Sequence, residues 1–416
     1  RSTQAKTLFP YTTLFRSFKT YWLPTRTSPR PSIDQGTSMN RQQLLPDTER
    51  LPIIDDLGSV LVKSQPLLDV RAPIEFAEGA FPNTTNLPLM NDAERAAIGK
   101  RYKDAGQDEA ILLGLHLVSG ANKAERIAAW QQYALDHPEG ALYCFRGGLR
   151  SRISQQWLYA ETGITYPRIA GGYKALRRYV LDALVSLPQR YQAYVLSGRT
   201  GSGKTRFLKG LQQSIDLEGL AHHRGSAFGA WVQPQPTQID FENALVAKLL
   251  QQLAKQYKQV VFEDESRSIG SLHLPDSLFF SLRAAPLILL ETGLAERLEL
   301  TYQEYILDML QAFQAHSAEP ELAFKRFSQY LLTSLAKVQK RLGGVRYAKV
   351  SSLLHHALAQ QQKNGETYSH QAWIEFLLTD YYDPMYDYQI GQKQERIIFV
   401  GDALAVQEFL VSRSIT

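Results

Sequence analysis

From about Pro52 to Leu187, short apolar runs alternate with segments of helical period. PLLDVR (Pro66–Arg71) and ALYCF (Ala141–Phe145) read as strands. Between them, Ile127, Trp130 and Ala134 recur at helical spacing, which predicts a helix over Asn122–His137 that Gly140 follows as a stop. A second block opens with AYVLSG (Ala193–Gly198) and continues through QVVFED (Gln259–Asp264) and PLILLE (Pro286–Glu291). Unbroken apolar runs of this length suit strands buried on both faces. Strands alternating with helices predict an α/β fold, with parallel sheets covered by helices. After about Thr301 the pattern turns mainly helical, through Ala359, and RIIFVG (Arg396–Gly401) is a late strand that would return to the second sheet. The expected organisation is a first α/β domain over 52–187, a second over 190–300 and a mainly helical region over 301–416.

Residues 1–38 break this pattern. They show no lasting period and no signal-peptide core, and TLFPYTTLFRS resembles translated vector sequence more than a protein element. Met39 is the expected native start, with a natural disordered extension as the other reading. The segment also changes the charge picture. The chain of 416 residues has 46 basic and 41 acidic residues, a formal +5 that hints at a polyanionic partner. Six of the basic and one of the acidic residues lie in 1–38, so the remainder carries 40 of each and is neutral. Any nucleic-acid footprint must then be local. A single cysteine excludes an internal disulfide framework and a multi-cysteine zinc site, and suggests a reducing, cytoplasmic compartment. No apolar run approaches the roughly 20 residues of a membrane span.

That cysteine, Cys144, ends a strand and is followed by Phe-Arg146-Gly147-Gly148-Leu149-Arg150-Ser151. Glycines let the backbone curl so that several N–H groups face one centre, and a helix starting near Arg150 adds positive potential. With Arg146 and Arg150 this setting favours a thiolate beside an anion cradle. It suits attack on, or transfer from, a small tetrahedral oxyanion. A buried structural cysteine is the competing reading.

Gly198-Arg-Thr-Gly201-Ser202-Gly203-Lys204-Thr205 fits G-x-x-x-x-G-K-[ST] between a predicted strand and a helix predicted over Arg206–Gln213. Its backbone N–H groups cradle phosphates, Lys204 reaches the outer one, and Thr205 can hold Mg²⁺. Glu263 and Asp264, at the end of a strand, are candidate metal ligands; a solvated acidic turn is the alternative. His222 and His223 flank Arg224 in a Gly/Ser-containing loop, suited to a phosphate or RNA contact or to a simple cap. Lys174, Arg177 and Arg178 share one predicted helix face, and with Arg224 are the candidate RNA contacts. Lys337, Lys340 and Arg341 form a second basic face.

Asp69-Val-Arg71, Glu75-Phe76, Gly79-x-x-Pro82, Asn86-x-Pro88 and the cysteine loop together resemble a rhodanese domain over about Gly58–Leu187. The Cys-x5-Arg loop is one residue longer than the usual sulfurtransferase loop and resembles that of rhodanese-fold phosphatases. Ala80, Phe81 and Asn83 also depart from the common G-H-I-P-G segment. A rhodanese domain joined to a P-loop domain, with Leu217–Gly229, Gln238–Asn243, Glu263–Gly270 and Tyr381–Tyr386, is similar to the bacterial tRNA 2-selenouridine synthases from about Arg50 onward.

That resemblance implies a transferase acting on tRNA. It would replace sulfur by selenium in wobble 2-thiouridine, with selenophosphate and geranyl diphosphate as co-substrates and S-geranylation as an accompanying step. Cys144 would carry selenium or a persulfide, with Arg146, Gly147, Gly148, Leu149 and Arg150 around the anion. The P-loop residues Gly198, Gly201, Ser202, Gly203, Lys204 and Thr205 would bind the diphosphate. Phe228, Trp231, Tyr381, Tyr382 and Tyr386 are candidates for an apolar slot. Two other readings stay open: a rhodanese-fold phosphatase or sulfurtransferase with a nucleotide-binding domain, and a non-catalytic RNA-binding module.

Overall fold

The structure, a computed structural model, describes residues 51–416; the expected leader lies outside them. Five strands form the first sheet: β1 (Ile53–Ile54), β2 (Leu67–Asp69), β3 (Thr84–Asn86), β4 (Ala141–Tyr143) and β5 (Arg168–Ile169). They run parallel in the order β1-β5-β4-β2-β3. The helix predicted before β4 spans Gly120–Asp136 and buries Ile127, Trp130 and Ala134. Trp130 also donates its indole N–H to the Leu87 carbonyl at 2.9 Å, which pins the helix to the chain leaving β3.

The second sheet contains β6 (Gln192–Ser197), β7 (Ser214–Ile215), β8 (Gln259–Glu263), β11 (Leu287–Leu290) and β12 (Ile397–Gly401). It is parallel in the order β12-β11-β6-β8-β7. A separate antiparallel hairpin, β9 (Ser268–Ile269) and β10 (Leu272–His273), projects beyond β8. The helix expected over Arg206–Gln213 is instead Lys204–Lys209. Gly210 closes it, and Gln212 and Gln213 turn away to donate their backbone N–H groups to the Thr416 carbonyl oxygen at 2.7 and 3.2 Å.

One apolar core runs through both sheets, from Val60 and Tyr143 to Phe241, Phe262 and Leu289. Polar clamps lock the contact. Asp240 accepts the Ala80 N–H at 2.6 Å and Asn243 donates to the Ala80 carbonyl at 2.6 Å. The segment that departs from the expected G-H-I-P-G pattern is therefore held by the second domain, and Phe81 packs edge-on against Tyr143 and Tyr173. The region from Leu294 to Gly391 is helical and builds its own core around Phe327, Leu331, Leu354 and Ile374. Phe228 and Tyr381, expected to line a slot, are buried in that core, with Phe228 stacked on Trp373 at 5.4 Å. Among the described residues, no helix is long and apolar enough to cross a membrane.

Candidate functional site

The Cys144 turn lies just past β4, and the following helix, Leu149–Thr162, begins with no side-chain cap on its free N–H groups. Gly147 takes φ +61, and it nests against Gly171 and Gly172 so closely that a Cβ would strike their backbone nitrogens. Tyr173 and Lys174 donate backbone N–H groups to the carbonyls of Cys144 and Phe145, both at 2.9 Å. The turn is thus braced from below by the start of the Gly172–Ser186 helix. Cys144 is 2% exposed and its thiol donates to Ser151 Oγ at 3.2 Å, while Ser151 Oγ donates to the Gly148 carbonyl at 3.1 Å. Arg146 stands exposed beside Phe145.

Arg150 is turned toward Glu75, its guanidinium 2.5 and 3.1 Å from the carboxylate oxygens. Burial pulls its pKa down, but the Glu75 carboxylate outweighs that and holds it above its ordinary value. Arg168 donates to the Gly147 carbonyl at 3.2 Å, and its buried Nε has no partner. Beneath the turn, Arg71 lies over the Tyr173 ring at 3.9 Å and pairs with buried Asp69 at 2.6 Å. Asn86 donates to the carbonyls of Asp69 and Arg71 at 3.0 and 2.9 Å. The Asp-Val-Arg and Asn-x-Pro signals therefore belong to the frame of the turn. Glu75, Arg168 and Ser151 were not singled out from sequence as partners of the loop; the Glu-Phe signal marked Glu75 without a role.

The second site is the turn after β6. Gly201 and Gly203 take φ +78 and +79, as a loop that curls around phosphate requires. Lys204 folds back and donates to the Gly198 carbonyl at 2.9 Å. Ser202 Oγ is buried with no partner. Arg297, 2% exposed, ties the loop to the helical region: it donates to the Thr200 carbonyl at 2.9 Å and makes a two-pronged pair with Asp383 at 2.6 and 3.0 Å. A cavity of about 440 Å³ opens over the loop and is closed by Arg224, Tyr305, Arg341, Tyr382 and Tyr386. Tyr305 and Tyr382 sit in the two π-helical stretches Gln303–Leu307 and Leu378–Tyr382, which swing them toward the loop. Arg224 lies 5.1 Å from the Tyr305 ring, and its Nη1 is buried with no partner, a charge suited to a phosphoryl oxygen.

Three carboxyls crowd the same loop. Thr205 donates its hydroxyl to Glu218 at 3.0 Å, and Glu263 accepts the Glu218 N–H at 2.9 Å. Glu263 Oε1 is buried with no partner. Burial, then the neighbouring carboxylates, pushes Glu218 and Glu263 up to about 8 and Glu265 up to about 7. Asp264 points elsewhere, accepting from Ser197 and Lys393 at 2.6 Å each. Of the two candidate metal ligands, Glu263 faces Thr205 and Asp264 is neutralised by a lysine. Among the described residues, no three His, Cys, Asp or Glu side chains are grouped to hold a metal ion by themselves.

The basic face is split. Lys174 and Arg178 are exposed, Arg178 with an i,i+4 partner in Asp182. Arg177 is turned inward, donating to Asn243 at 2.9 Å and to Glu242, so it bridges the two domains. His222 stacks on Trp231 at 5.1 Å, and burial together with Lys337 holds His223 below its ordinary pKa.

Comparison with known proteins follows the same division. Residues 191–416 match the family described as "tRNA 2-selenouridine synthase AAA domain". The tRNA 2-selenouridine synthase of Marinobacter nauticus is 49% identical over 88% of this chain and 99% of its own length. That of Sulfurovum sp. is 47% identical over 87% and 99%, and that of Pseudomonas fluorescens 49% identical over 86% and 98%. The identity extends well upstream of residue 191, and the chain belongs to the tRNA 2-selenouridine synthase family.

Proposed function

We propose that this protein replaces sulfur by selenium in wobble 2-thiouridine of tRNA in two steps, one at each anion-binding turn. The observation that carries the reading is the pairing of two glycine turns, at Cys144 and at Gly198–Thr205, each opening a helix with no side-chain cap and so suited to an oxyanion. The first sheet then serves as the rhodanese-like domain.

In the first step the thiocarbonyl sulfur attacks C1 of geranyl diphosphate. The C–O bond breaks and the diphosphate leaves with the electron pair. The P-loop N–H groups, Lys204 and the unpaired Arg224 nitrogen would stabilise the charge that gathers on the leaving group. Thr205 and Glu263 are the residues that would hold Mg²⁺ against it, and the ion would supply further charge neutralisation. A groove of about 690 Å³ adjoins Thr205 and Arg224 and is walled by Trp231, Val232, Leu300 and Met309. It suits the apolar chain better than the expected Phe228 and Tyr381, which are buried in the helical core.

In the second step the selenium of selenophosphate, held by the Cys144 turn, attacks C2, and the C2–S bond breaks to release geranylthiol once the sulfur takes up a proton; water then cleaves the Se–P bond, and phosphate leaves. The uncapped helix start and Arg146 are the donors available there, with Arg150 once it turns from Glu75.

Assaying the two steps separately tests this division. Lys204→Ala should lose S-geranylation, and Cys144→Ser should retain it while losing selenium incorporation. Loss of selenation with intact geranylation in the Lys204 variant would overturn the assignment. So would wobble nucleosides that are unchanged, by mass spectrometry, in cells lacking the gene.

A further inference from the structure

Beside the P-loop cavity lies a second, polar one of about 630 Å³ that the two-step reading leaves unassigned. Gly225 and Ser226 line both, so whatever occupies the second cavity abuts a ligand on the P-loop. We propose that this cavity holds an extruded RNA nucleobase, the acceptor of the P-loop step, and this rests on the two-step reading above.

The lining fits a base. Its floor is built rather than fluid: Gln235 donates to the carbonyls of Ala221 and Ile269, both at 2.9 Å, and accepts from the Ser271 N–H at 2.7 Å. Gly270, at φ +63, lets the β9–β10 turn close against Gln235 and His223 where a side chain would collide. Ser266 and Ser271 donate their hydroxyls to the Ser268 carbonyl and to Gln235 Oε1 at 2.6 and 3.0 Å, which leaves their oxygens as fixed acceptors for the N–H groups of a base edge, while Ser226 pairs with the Tyr305 hydroxyl at 3.2 Å. His223 lines the cavity, is 8% exposed, and its Nδ1 has no partner. Trp231, 38% exposed, is held parallel to His222 and braced by Arg224 at 5.1 Å, which makes it a fixed surface for a base to stack on.

The cations identify RNA rather than a free nucleotide. Lys337 and Arg341 lie one turn apart on the Pro320–Leu342 helix, exposed at the mouth of this cavity, and Arg341 also faces the P-loop cavity. A nucleotide held only by the P-loop would present its phosphates to the loop. Charges at the far mouth suit the phosphates that flank an unstacked base in a strand. The basic face at Lys337–Arg341 thereby acquires a position that its spacing alone did not reveal.

The test is photo-crosslinking of the full chain to an anticodon stem-loop RNA carrying 4-thiouridine at the wobble position, followed by peptide mapping. Crosslinks are expected within 225–235 or 266–271, and excess ATP should not displace them. Ser271→Trp, an exposed turn position, should abolish these crosslinks and raise the KM for RNA at least about tenfold, with pyrophosphate binding changed less than about twofold. Crosslinks confined to the Cys144 turn or to Lys174–Arg178 would overturn the proposal, and loss to ATP would give the cavity to a free nucleotide. Crosslinking needs no turnover, so wild-type protein that crosslinks here yet alkylates nothing would refute the two-step reading and leave this site standing.

Discussion

Glu75 holds Arg150 by two hydrogen bonds of 2.5 and 3.1 Å, so the arginine that closes the cysteine turn is anchored by the short helix Pro73–Ala77 that follows β2, the strand beside β4. The carboxylate also accepts the Ala72 N–H at 3.1 Å and faces Arg95 at 3.3 Å. Burial pushes the Glu75 pKa up, but Arg150 and these other donors outweigh it, and the net shift is downward from 4.5. A depressed carboxyl stabilises the fold above its unfolded pKa, and that stability is lost as the pH falls below it. Glu75→Gln should therefore cost about 1–3 kcal/mol at pH 7, less than breaking a fully buried pair. Urea titrations should show the difference shrinking as the pH falls below 4.5. An equal difference at low pH would mean the charge is not what matters.

Arg177 and its helical neighbours separate stability from RNA binding. Arg177 joins Asn243 and Glu242 across the domains, whereas Lys174 and Arg178 face solvent. Arg177→Ala should lower stability by about 1–3 kcal/mol, because it leaves a partly buried Glu242 uncompensated. Its tRNA affinity should change less than about twofold. The double variant Lys174→Ala/Arg178→Ala should do the reverse, with stability intact within about 0.5 kcal/mol and a shallower salt dependence of tRNA binding. Filter binding at several salt concentrations, beside thermal melts, distinguishes the two.

That split marks how far the residues could be read in advance. Runs such as Tyr194–Ser197, Val260–Glu263 and Leu287–Leu290 are buried in the structure and stand out because both faces of the strand are apolar. Ile53–Ile54, Arg168–Ile169 and Ser214–Ile215 are only two residues long and have no period to detect; they exist as strands because a neighbour supplies the ladder. The tight glycine turn after β6 was legible from spacing alone, since the positive φ of Gly201 and Gly203 and the helix that starts at Lys204 are set locally. Glu75, Arg168, Glu218 and Arg297 were not, because their partners lie far along the chain. The helical face of Lys174, Arg177 and Arg178 was readable, but Glu242 on another helix decides which of its charges remain free.

Arg297 offers a test of how the helical region governs the P-loop. Its guanidinium is buried and bonds both the Thr200 carbonyl and Asp383. Arg297→Ala leaves the Asp383 carboxylate to the half-exposed Arg199, 3.9 Å away, and frees the loop from its brace. A loss of about 3–5 kcal/mol is expected, together with weaker pyrophosphate binding. Arg297→Lys should rescue little, because a single ammonium cannot reproduce the planar two-pronged pair and reach Thr200 as well. If the lysine variant bound pyrophosphate like the wild type by calorimetry, the brace would be irrelevant to the loop.

The carboxyls beside Thr205 set an opposite pH trend. Glu218 and Glu263 are raised to about 8 and Glu265 to about 7, first by burial and then by each other, against an ordinary 4.5. Between 4.5 and about 8 the folded protein keeps protons that the unfolded chain has released, so these groups make stability fall as the pH rises across that window. Their crowding is geometric, since a Cβ on Gly225 would lie 2.7 Å from Glu265 and 2.9 Å from Glu218. Glu218→Gln removes one charge and keeps an oxygen to accept the Thr205 hydroxyl. The variant should melt higher than wild type at pH 8, with the gap closing toward pH 5, where the native carboxyl is already protonated. A pH-independent gap would show that the carboxyl is not carrying a proton in the folded state.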